Sequence, residues 1–318
     1  MEKEARLTSN HDSEPLDWGR RAPGEHLGDY VLEDVIGSGE VGTVFRVTRQ
    51  SDGRTFALKL MRPALAEDPL IEQRFQREAT VSARLQHPYA VRIRDLGRHD
   101  GCPYIVMDLA PGQPLDKVLA DLGGPMPLPR VLPILWALAD VLAAAHEQGI
   151  VHRDLNPADI LVASTPHGER VTVVDFGLAF LAEPDTEDVG RLTAPGLTAG
   201  TPGYSAPEQI RGLAVTQATD VYALGAVAYR LLTGRPPFDA PNPTDLANQH
   251  LFLTPSAPSL HGGPSIACLD PLVLEMLAKR TDARPTADDV RDRLDDVACD
   301  LRIAMPGPPP PRRPTLHG

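Results

Sequence analysis

Two stretches of sequence, IVHRDLNPADIL at residues 150–161 and VTVVDFGLA at residues 171–179, decide the fold of this chain. The first predicts a loop in which Asp154 accepts the proton of a reacting hydroxyl group. In the second, valines and a threonine predict a buried strand that ends at Asp175. The carboxylate of Asp175 would be a suitable ligand for magnesium. Because the two aspartates are 21 residues apart, we expect both to serve one site.

Upstream, IGSGEVGTV at residues 36–44 is a glycine-rich loop between two strand-like runs. Glycines let the backbone turn sharply and bring its N–H groups close to phosphates. Three glycines often mark only a tight turn, and a dinucleotide-binding loop would open a helix. Here a strand follows the loop, which favours a flap that covers the phosphates of a nucleotide.

A lysine and a glutamate lie between the glycine loop and the Asp154 stretch. Lys59 ends the strand-like run FALK, and Glu78 lies in a helical pattern over residues 70–85. Ile71 and Phe75 recur at helical spacing, and Glu78 falls on the same inward face. A carboxylate on a buried face needs a partner. We therefore predict an ion pair between Lys59 and Glu78 in the active conformation, which places the ammonium beside phosphate oxygens.

The order of predicted elements indicates two lobes. Strand-like runs with one helix extend to about Leu109, and long apolar helical patterns follow at residues 131–148 and 220–232. We thus expect an α+β protein with a small, strand-rich lobe. The second lobe should be larger and mainly helical, with its chemistry in the loops.

Composition limits the class of protein. The net charge of −12 and the pI of about 5.3 argue against a nucleic-acid-binding protein. Cys102, Cys268 and Cys299 are widely spaced, which indicates neither a disulfide framework nor a zinc site. The charged start predicts no signal peptide, and no apolar run predicts a membrane-spanning helix. We therefore expect a cytoplasmic protein with no membrane or nucleic-acid partner.

A series of further motifs follows Asp175. Glu208 in GTPGYSAPEQI, at residues 200–210, is predicted to pair with Arg284 in ARPT. Ten motifs then stand in order: GSGEVGTV, FALK, QREA, HP, YIVMD, HRDL, DFG, GTPGYSAPE, TDVYALG and ARPT. With this series, the stretch from about Tyr30 to Leu294 resembles the eukaryotic-like (Hanks-type) serine/threonine protein kinases of bacteria.

The resemblance implies a two-lobed protein-kinase fold of the α+β class, with a small antiparallel-sheet N-lobe carrying one helix and a larger, mainly helical C-lobe. By their composition, residues 1–27 are expected to form a flexible extension and residues 299–318 a proline-rich tail. The kinase domain would span 28–298, with an N-lobe at about 28–109 and a C-lobe at about 110–298. Its reaction would transfer the γ-phosphate of ATP, with Mg²⁺ or Mn²⁺, to Ser/Thr hydroxyls of protein substrates. The chain itself would be one substrate, through self-association.

The same resemblance assigns residues to the site. Met107 would be the gatekeeper beside a hinge at residues 108–110, with adenine held between Val44, Ala57 and Leu161. The predicted nucleotide contacts are Ile36, Gly37, Ser38, Gly39, Gly42, Val44, Ala57, Lys59, Met107, Asp108, Ala110 and Leu161. The predicted catalytic residues are Lys59, Glu78, Asp154 and Asn156, and the predicted metal ligands are Asp175 and Asp159.

An activation segment is implied from Asp175 to Glu208. The resemblance implies that a phosphorylated threonine in this segment pairs with Arg153. The candidate phosphorylation sites are Thr186, Thr193 and Thr198. Thr201 matches the family threonine that supports the catalytic loop.

Two positions depart from the family pattern H-R-D-L-K-P-x-N. Asn156 stands where a lysine usually contacts the γ-phosphate, and Asp159 stands where an asparagine usually binds metal. The site is thereby more negative by two charges, which predicts a slower or more metal-dependent enzyme. Three alternatives stay open: a pseudokinase scaffold, an interaction module that acts through the proline-rich tail, and a small-molecule phosphotransferase. The last would be of the aminoglycoside-kinase type, whose loop can read H-x-D-L-N-P-x-N.

Overall fold

A six-stranded antiparallel sheet forms the N-lobe. The computed structural model describes residues 23–39, 41–166, 168–176 and 202–305, and within them the sheet has the order β1-β2-β3-β4-β6-β5. The strands are β1 (His26–Leu27), β2 (Tyr30–Ser38), β3 (Gly42–Arg49), β4 (Thr55–Met61), β5 (Ile93–His99) and β6 (Cys102–Asp108).

Two helices accompany the sheet, α1 (Pro63–Ala66) and α2 (Pro69–Ser82). Asp68 caps α2 by accepting the backbone N–H of Leu70, and Pro69 fills the first helical position. The helix predicted over 70–85 is therefore α2, and the expectation of a single helix in the N-lobe is wrong because the one-turn α1 precedes it. Helix α2 ends at Ser82, because the next backbone hydrogen bonds, from residues 84 and 85, close over three residues instead of four.

Strand β4 carries the chemistry of the N-lobe on one face. Successive side chains of a strand point to opposite faces. Phe56 and Leu58 of β4 belong to the apolar cluster on the outer face of the sheet. Ala57 packs with Phe75 of α2 on the inner face. Lys59 shares this inner face, so its ammonium points toward the space between the lobes.

The C-lobe is mainly helical. Its helices are α3 (Leu115–Leu122), α4 (Leu128–Glu147), α5 (Pro207–Ile210), α6 (Gln217–Thr233), α7 (Pro243–Phe252), α8 (Ser259–Gly262), α9 (Asp270–Met276) and α10 (Ala287–Leu301). A small antiparallel sheet consists of β7 (Gln113–Pro114), β8 (Ile160–Thr165) and β9 (Gly168–Val173). Short 3₁₀ segments lie at Pro157–Asp159, Pro264–Leu269 and Thr281–Ala283.

Helix α6 is buried almost all round, as its sequence predicts. It packs against α4 and α9. Gly225 permits the close approach of α9, because a Cβ at this position would lie 2.8 Å from the Cβ of Met276. The helix ends at Gly234, whose φ of 76° is the left-handed conformation that favours glycine at a helix C-terminus.

Helix α4 contradicts one expectation from the sequence. It has 20 residues and is long and apolar enough, by length and composition alone, to cross a membrane. From the sequence, no apolar run of about 18 residues and hence no membrane-spanning helix was expected. In the fold, most of the helix is buried and it packs against α6 and α10. Its apolar surface therefore forms the core of the C-lobe.

The folded body extends beyond residues 28 and 298, the predicted limits of the kinase domain. His26 and Leu27 of β1 pair with Val31 and Tyr30. Leu27 is fully buried, and burying such a side chain contributes about 1.5–3 kcal/mol. At the other end, α10 continues through Leu301.

Hydrogen bonds tie the two lobes together behind Asp175. The N–H of Val91 donates to the carbonyl of Val173 at 2.8 Å, and the N–H of Val173 donates to the carbonyl of Tyr89 at 2.6 Å. The Ser82 hydroxyl at the end of α2 donates to the carbonyl of Phe176 at 2.8 Å. These contacts hold the chain on both sides of Asp175 against the N-lobe.

Candidate active site

A cavity of about 670 Å³ lies between the lobes. This volume is within the range of small-molecule sites. Every residue that the sequence analysis assigned to nucleotide contact lines the cavity, and so do Asp154, Asp159 and Asp175. Several further lining residues, most of them apolar, were not predicted from the sequence: Val41, Val91, Pro114, His152, Ala158, Val174 and Pro202.

The glycine loop connects β2 and β3, which pair as antiparallel neighbours. The N–H of Gly39 donates to the carbonyl of Gly42 at 2.9 Å. Gly42 admits no side chain, because a Cβ would lie 2.2 Å from the carbonyl oxygen of Leu60. A hairpin rather than a helix follows the loop, so the geometry fits a flap over the cavity and not a dinucleotide-binding turn.

The part of the cavity nearest the hinge is apolar. Val44 and Ala57 line it from the N-lobe, and Leu161 of β8 lines it from the C-lobe. This is the arrangement that a flat adenine ring requires. Asp108 at the hinge is held by Arg94, whose Nε and Nη2 atoms donate to the two carboxylate oxygens at 2.5 and 2.9 Å.

The predicted ion pair between Lys59 and Glu78 is not formed in this conformation. Lys59 Nζ lies 2.8 Å from Asp175 Oδ2, and Glu78 Oε1 lies 3.5 Å from Arg153 Nη1. The prediction followed from the inward face of α2, which is correct for Phe75. In this conformation Asp175 and Arg153 lie within reach of the same two charges and pair with them. Each charge has a partner, but the partners are exchanged.

The catalytic loop is held by Asp220 of α6, a residue to which the sequence analysis gave no role. The backbone N–H groups of His152 and Arg153 donate to its two carboxylate oxygens at 2.8 Å each. His146 Nε2 lies 2.8 Å from the same carboxylate. The signal was present in the sequence, because Asp220 is a charge on a helix that is otherwise apolar nearly all round, and a buried charge requires partners.

Two residues of the site have left-handed backbones. Arg153 has φ 73° and Asp175 has φ 61°. Non-glycine residues in this region cost on the order of 1 kcal/mol or more and persist where the surroundings hold them. Asp220 fixes the backbone at residue 153, and the hydrogen bonds on both sides of Asp175 fix the backbone at residue 175.

Asn156 points into the catalytic loop rather than into the cavity. Its side chain is 6% exposed, and the residue is not among those lining the cavity in the described ranges. Its Nδ2 donates to the carbonyl of Asp154 at 2.9 Å and to Asp159 Oδ2 at 2.5 Å. Asn156 thus stands at the position of the usual phosphate-contacting lysine, but local hydrogen bonds turn its side chain into the loop and away from the cavity.

Asp159 and Asp175 offer carboxylate oxygens to the cavity, which is the donor set that Mg²⁺ and Mn²⁺ prefer. Burial, and then the neighbouring Asp175 and Asp154 carboxylates, raise the pKa of Asp159 well above its ordinary value. Excess negative charge of this kind fits a divalent cation. No group of three His, Cys, Asp or Glu side chains within the described ranges would hold a metal by itself. Two carboxylates suffice where nucleotide phosphates complete the coordination.

The raised pKa of Asp159 predicts how stability depends on pH without metal. The folded state binds this proton more tightly than the unfolded chain, so its stabilising effect is complete below pH 3.8 and declines as pH rises toward the raised pKa. Asp159→Asn removes the titration. In EDTA, we expect Tm of the variant to exceed that of the wild type, by a margin that is larger at pH 8 than at pH 5. Parallel Tm profiles for the two proteins would contradict this explanation.

Glu208 and Arg284 form the ion pair that the sequence predicts. Arg284 Nη1 and Nη2 donate to the two oxygens of Glu208 at 2.7 and 2.9 Å. The side chain of Arg284 is 0% exposed and that of Glu208 is 5% exposed. This pair anchors α5 against the end of the C-lobe. Part of the implied activation segment lies outside the described residues, including the candidate phosphorylation sites Thr186, Thr193 and Thr198 and the predicted loop-supporting Thr201.

The chain matches known protein kinases over most of its length. Residues 30–293 match the protein kinase domain family. The serine/threonine-protein kinase Pkn2 of Myxococcus xanthus is 37% identical over 276 residues, which are 86% of this chain and 33% of Pkn2. The serine/threonine-protein kinase PkaA of Streptomyces coelicolor is 37% identical over 285 residues, which are 85% of this chain and 50% of PkaA. The chain thus spans a third to a half of the length of these two relatives.

Solved structures of protein kinases also match the fold of this chain. A crystal structure of the kinase domain of Mycobacterium tuberculosis PknI, in a double-mutant form, superposes with a TM-score of 0.70 at 30% identity. The match covers 87% of this chain and 98% of the PknI chain. The predicted kinase fold is therefore confirmed, and this chain belongs to the protein kinase domain family.

Proposed function

We propose that this chain is a serine/threonine protein kinase that transfers the γ-phosphoryl group of ATP to protein hydroxyls. The observation that carries the proposal is the convergence of Lys59, Asp154 and Asp175 on one cavity whose apolar end fits adenine. The anchored Glu208 supports a protein substrate rather than a small molecule, because it holds the segment that serves as a peptide platform in this family.

Each side chain has one task in the proposed reaction. Asp154 accepts the proton of the substrate hydroxyl as its oxygen forms a bond to the γ-phosphorus, and the bond to the leaving ADP oxygen breaks. Lys59 is the ammonium for the nucleotide phosphates, and Glu78 supports it once α2 brings the two together. Asp220 holds the backbone of residues 152 and 153 in place while Asp154 accepts the proton.

Asp175 and Asp159 would hold the metal ion that the family uses with ATP. We infer Mg²⁺, with Mn²⁺ as an alternative ion. When bound, such an ion would neutralise the negative charge that shifts from the transferred phosphoryl group to the leaving group. Asp159 adds a carboxylate where the family usually has an amide, so we infer a steep dependence of rate on metal concentration.

Partners and location follow from the same reasoning. We infer ATP and protein substrates as partners, with self-association during autophosphorylation. The acidic balance of the chain disfavours a nucleic-acid partner. Cys102, Cys268 and Cys299 are thiols and not parts of disulfides, which supports a reducing compartment such as the cytoplasm. The burial of α4 in the C-lobe supports a role without a membrane.

The decisive assay incubates the purified chain with ATP labelled at the γ-phosphate. One arm contains a general protein acceptor such as casein, another contains an aminoglycoside, and each is run with Mg²⁺ and with Mn²⁺. We expect label on serine or threonine of protein only. Label on the aminoglycoside would replace the proposal by a small-molecule phosphotransferase. Binding of ATP without transfer, with both metals, would replace it by a pseudokinase.

Autophosphorylation should fall in the activation segment. Arg153 now contacts Glu78, and a phosphorylated threonine would supply Arg153 with a stronger anion and release Glu78 toward Lys59. Mass spectrometry of protein incubated with ATP is expected to find phosphate at Thr198 or Thr193. Phosphate found only outside residues 178–205 would refute this prediction.

A further inference from the structure

We propose that Asn156 is a positioning residue that holds the base Asp154 and the carboxylate Asp159 in working geometry through one side-chain amide. The inference rests on the proposed function, because it names how this chain tolerates its two departures from the family pattern. Its evidence is the set of hydrogen bonds inside the catalytic loop.

The amide of Asn156 is almost fully used. The two hydrogens of Nδ2 go to the carbonyl of Asp154 at 2.9 Å and to Asp159 Oδ2 at 2.5 Å. Its Oδ1 accepts the N–H of Ala158 at 2.9 Å. These are three of the four hydrogen bonds that an asparagine side chain can make. Because Asn156 is only 6% exposed and makes these three hydrogen bonds, its side chain is held in one orientation.

The two departures from the family pattern compensate each other. An asparagine at position 159 would offer an oxygen to the metal and an N–H group to the loop, whereas Asp159 offers oxygens only. The missing donor is supplied by Asn156, whose Nδ2 reaches both the loop carbonyl and the carboxylate. The amide function has thus moved from position 159 to position 156. The positive charge of the usual lysine has no replacement at position 156, which lies outside the cavity lining.

The effect should appear in metal-dependent binding. Asp159 is buried among like charges, and one donor hydrogen bond fixes the direction of its oxygens. Loss of a hydrogen bond that orients a metal-binding carboxylate typically lowers metal affinity or activity by about 10–100-fold. Binding of metal-free nucleotide depends on the apolar end of the cavity instead, and that end does not contact Asn156.

The test compares Asn156→Ala, Asp159→Asn and the double variant. Calorimetry measures the affinity of a non-hydrolysable ATP analogue with Mg²⁺ and with EDTA. We expect Asn156→Ala to weaken Mg²⁺-dependent binding by about 10–100-fold and to leave binding in EDTA unchanged. In the double variant, the amide introduced by Asp159→Asn supplies a donor for the carbonyl of Asp154 again, so most of the lost Mg²⁺-dependent affinity should return.

Asn242→Ala is the matched control. Asn242 also donates to an aspartate three residues later, with Nδ2 2.7 Å from Asp245 Oδ2, but it lies at the start of α7, outside the cavity lining. It should change neither binding measurement. The inference is overturned if Asn156→Ala weakens binding equally in Mg²⁺ and EDTA, if it has no effect, or if the double variant is no better than the single one. The measurements need no turnover, so a chain that transfers no phosphate would refute the proposed function alone.

Discussion

Asp154→Asn is expected to lower the rate of phosphoryl transfer by about 10²–10⁴-fold, the usual contribution of a positioned general base. The amide keeps the size of the carboxylate but cannot accept the proton of the attacking hydroxyl. ATP binding should persist, because the apolar end of the cavity, formed by Val44, Ala57 and Leu161, is untouched. The measurement is single-turnover transfer from labelled ATP to protein, with ATP affinity determined separately by calorimetry.

Asp121→Asn provides the control for this experiment. Asp121 lies on the exposed surface of α3, so the same chemical change there should leave transfer unaltered. If Asp154→Asn transferred phosphate at the wild-type rate, Asp154 would not be the base. A parallel loss of ATP affinity would assign Asp154 to nucleotide binding instead.

Arg284→Met should reduce the free energy of unfolding by about 3–5 kcal/mol, because it leaves the Glu208 carboxylate buried without its cation. Burial raises the pKa of Glu208, but hydrogen bonds from Arg284 outweigh burial and hold that pKa below its ordinary value of 4.5. A lowered pKa stabilises the folded state above the unfolded value, and this effect is lost as pH falls. The difference between wild type and variant should therefore be greatest at neutral pH and shrink below pH 4.5.

The neighbouring Arg280→Met is the matched control. Arg280 Nη2 lies 2.5 Å from Asp282 Oδ2, but these side chains are 80% and 65% exposed. Solvent screens such a pair, and exposed pairs contribute about 0–1 kcal/mol. Urea unfolding followed by circular dichroism measures both variants. Equal shifts in the two unfolding midpoints would show that burial of the Glu208 pair does not matter.

Sequence alone predicted the parts of the fold that depend on local pattern. The hairpin at the glycine loop follows from the strand-like runs on its two sides. The inner face of β4 follows from period-two alternation, which puts Lys59 beside Ala57. The pair of Glu208 with Arg284 followed from the requirement that a buried carboxylate have a cation.

The sequence could not predict which of several partners a charge takes. Lys59 has both Asp175 and Glu78 as candidates, and the choice depends on where α2 sits relative to the C-lobe. Asn156 was assigned to the site because it stands where the family has a lysine, but the direction of its side chain depends on three hydrogen bonds within the loop. Asp220 lies in the motif TDVYALG, but its partners are backbone N–H groups of a distant loop, which side-chain types in a sequence do not indicate.

Because Arg153 and Asp175 have left-handed backbones, substitutions that stabilise the protein at these two positions are expected to reduce its activity under artificial selection. Glycine adopts this conformation at no steric cost, and asparagine adopts it more easily than most residues. Replacement at either position would relieve backbone strain and remove a side chain that the site uses. A library selected only for heat resistance is therefore expected to enrich glycine or asparagine at these two positions, and to lose phosphoryl transfer as its melting temperature rises.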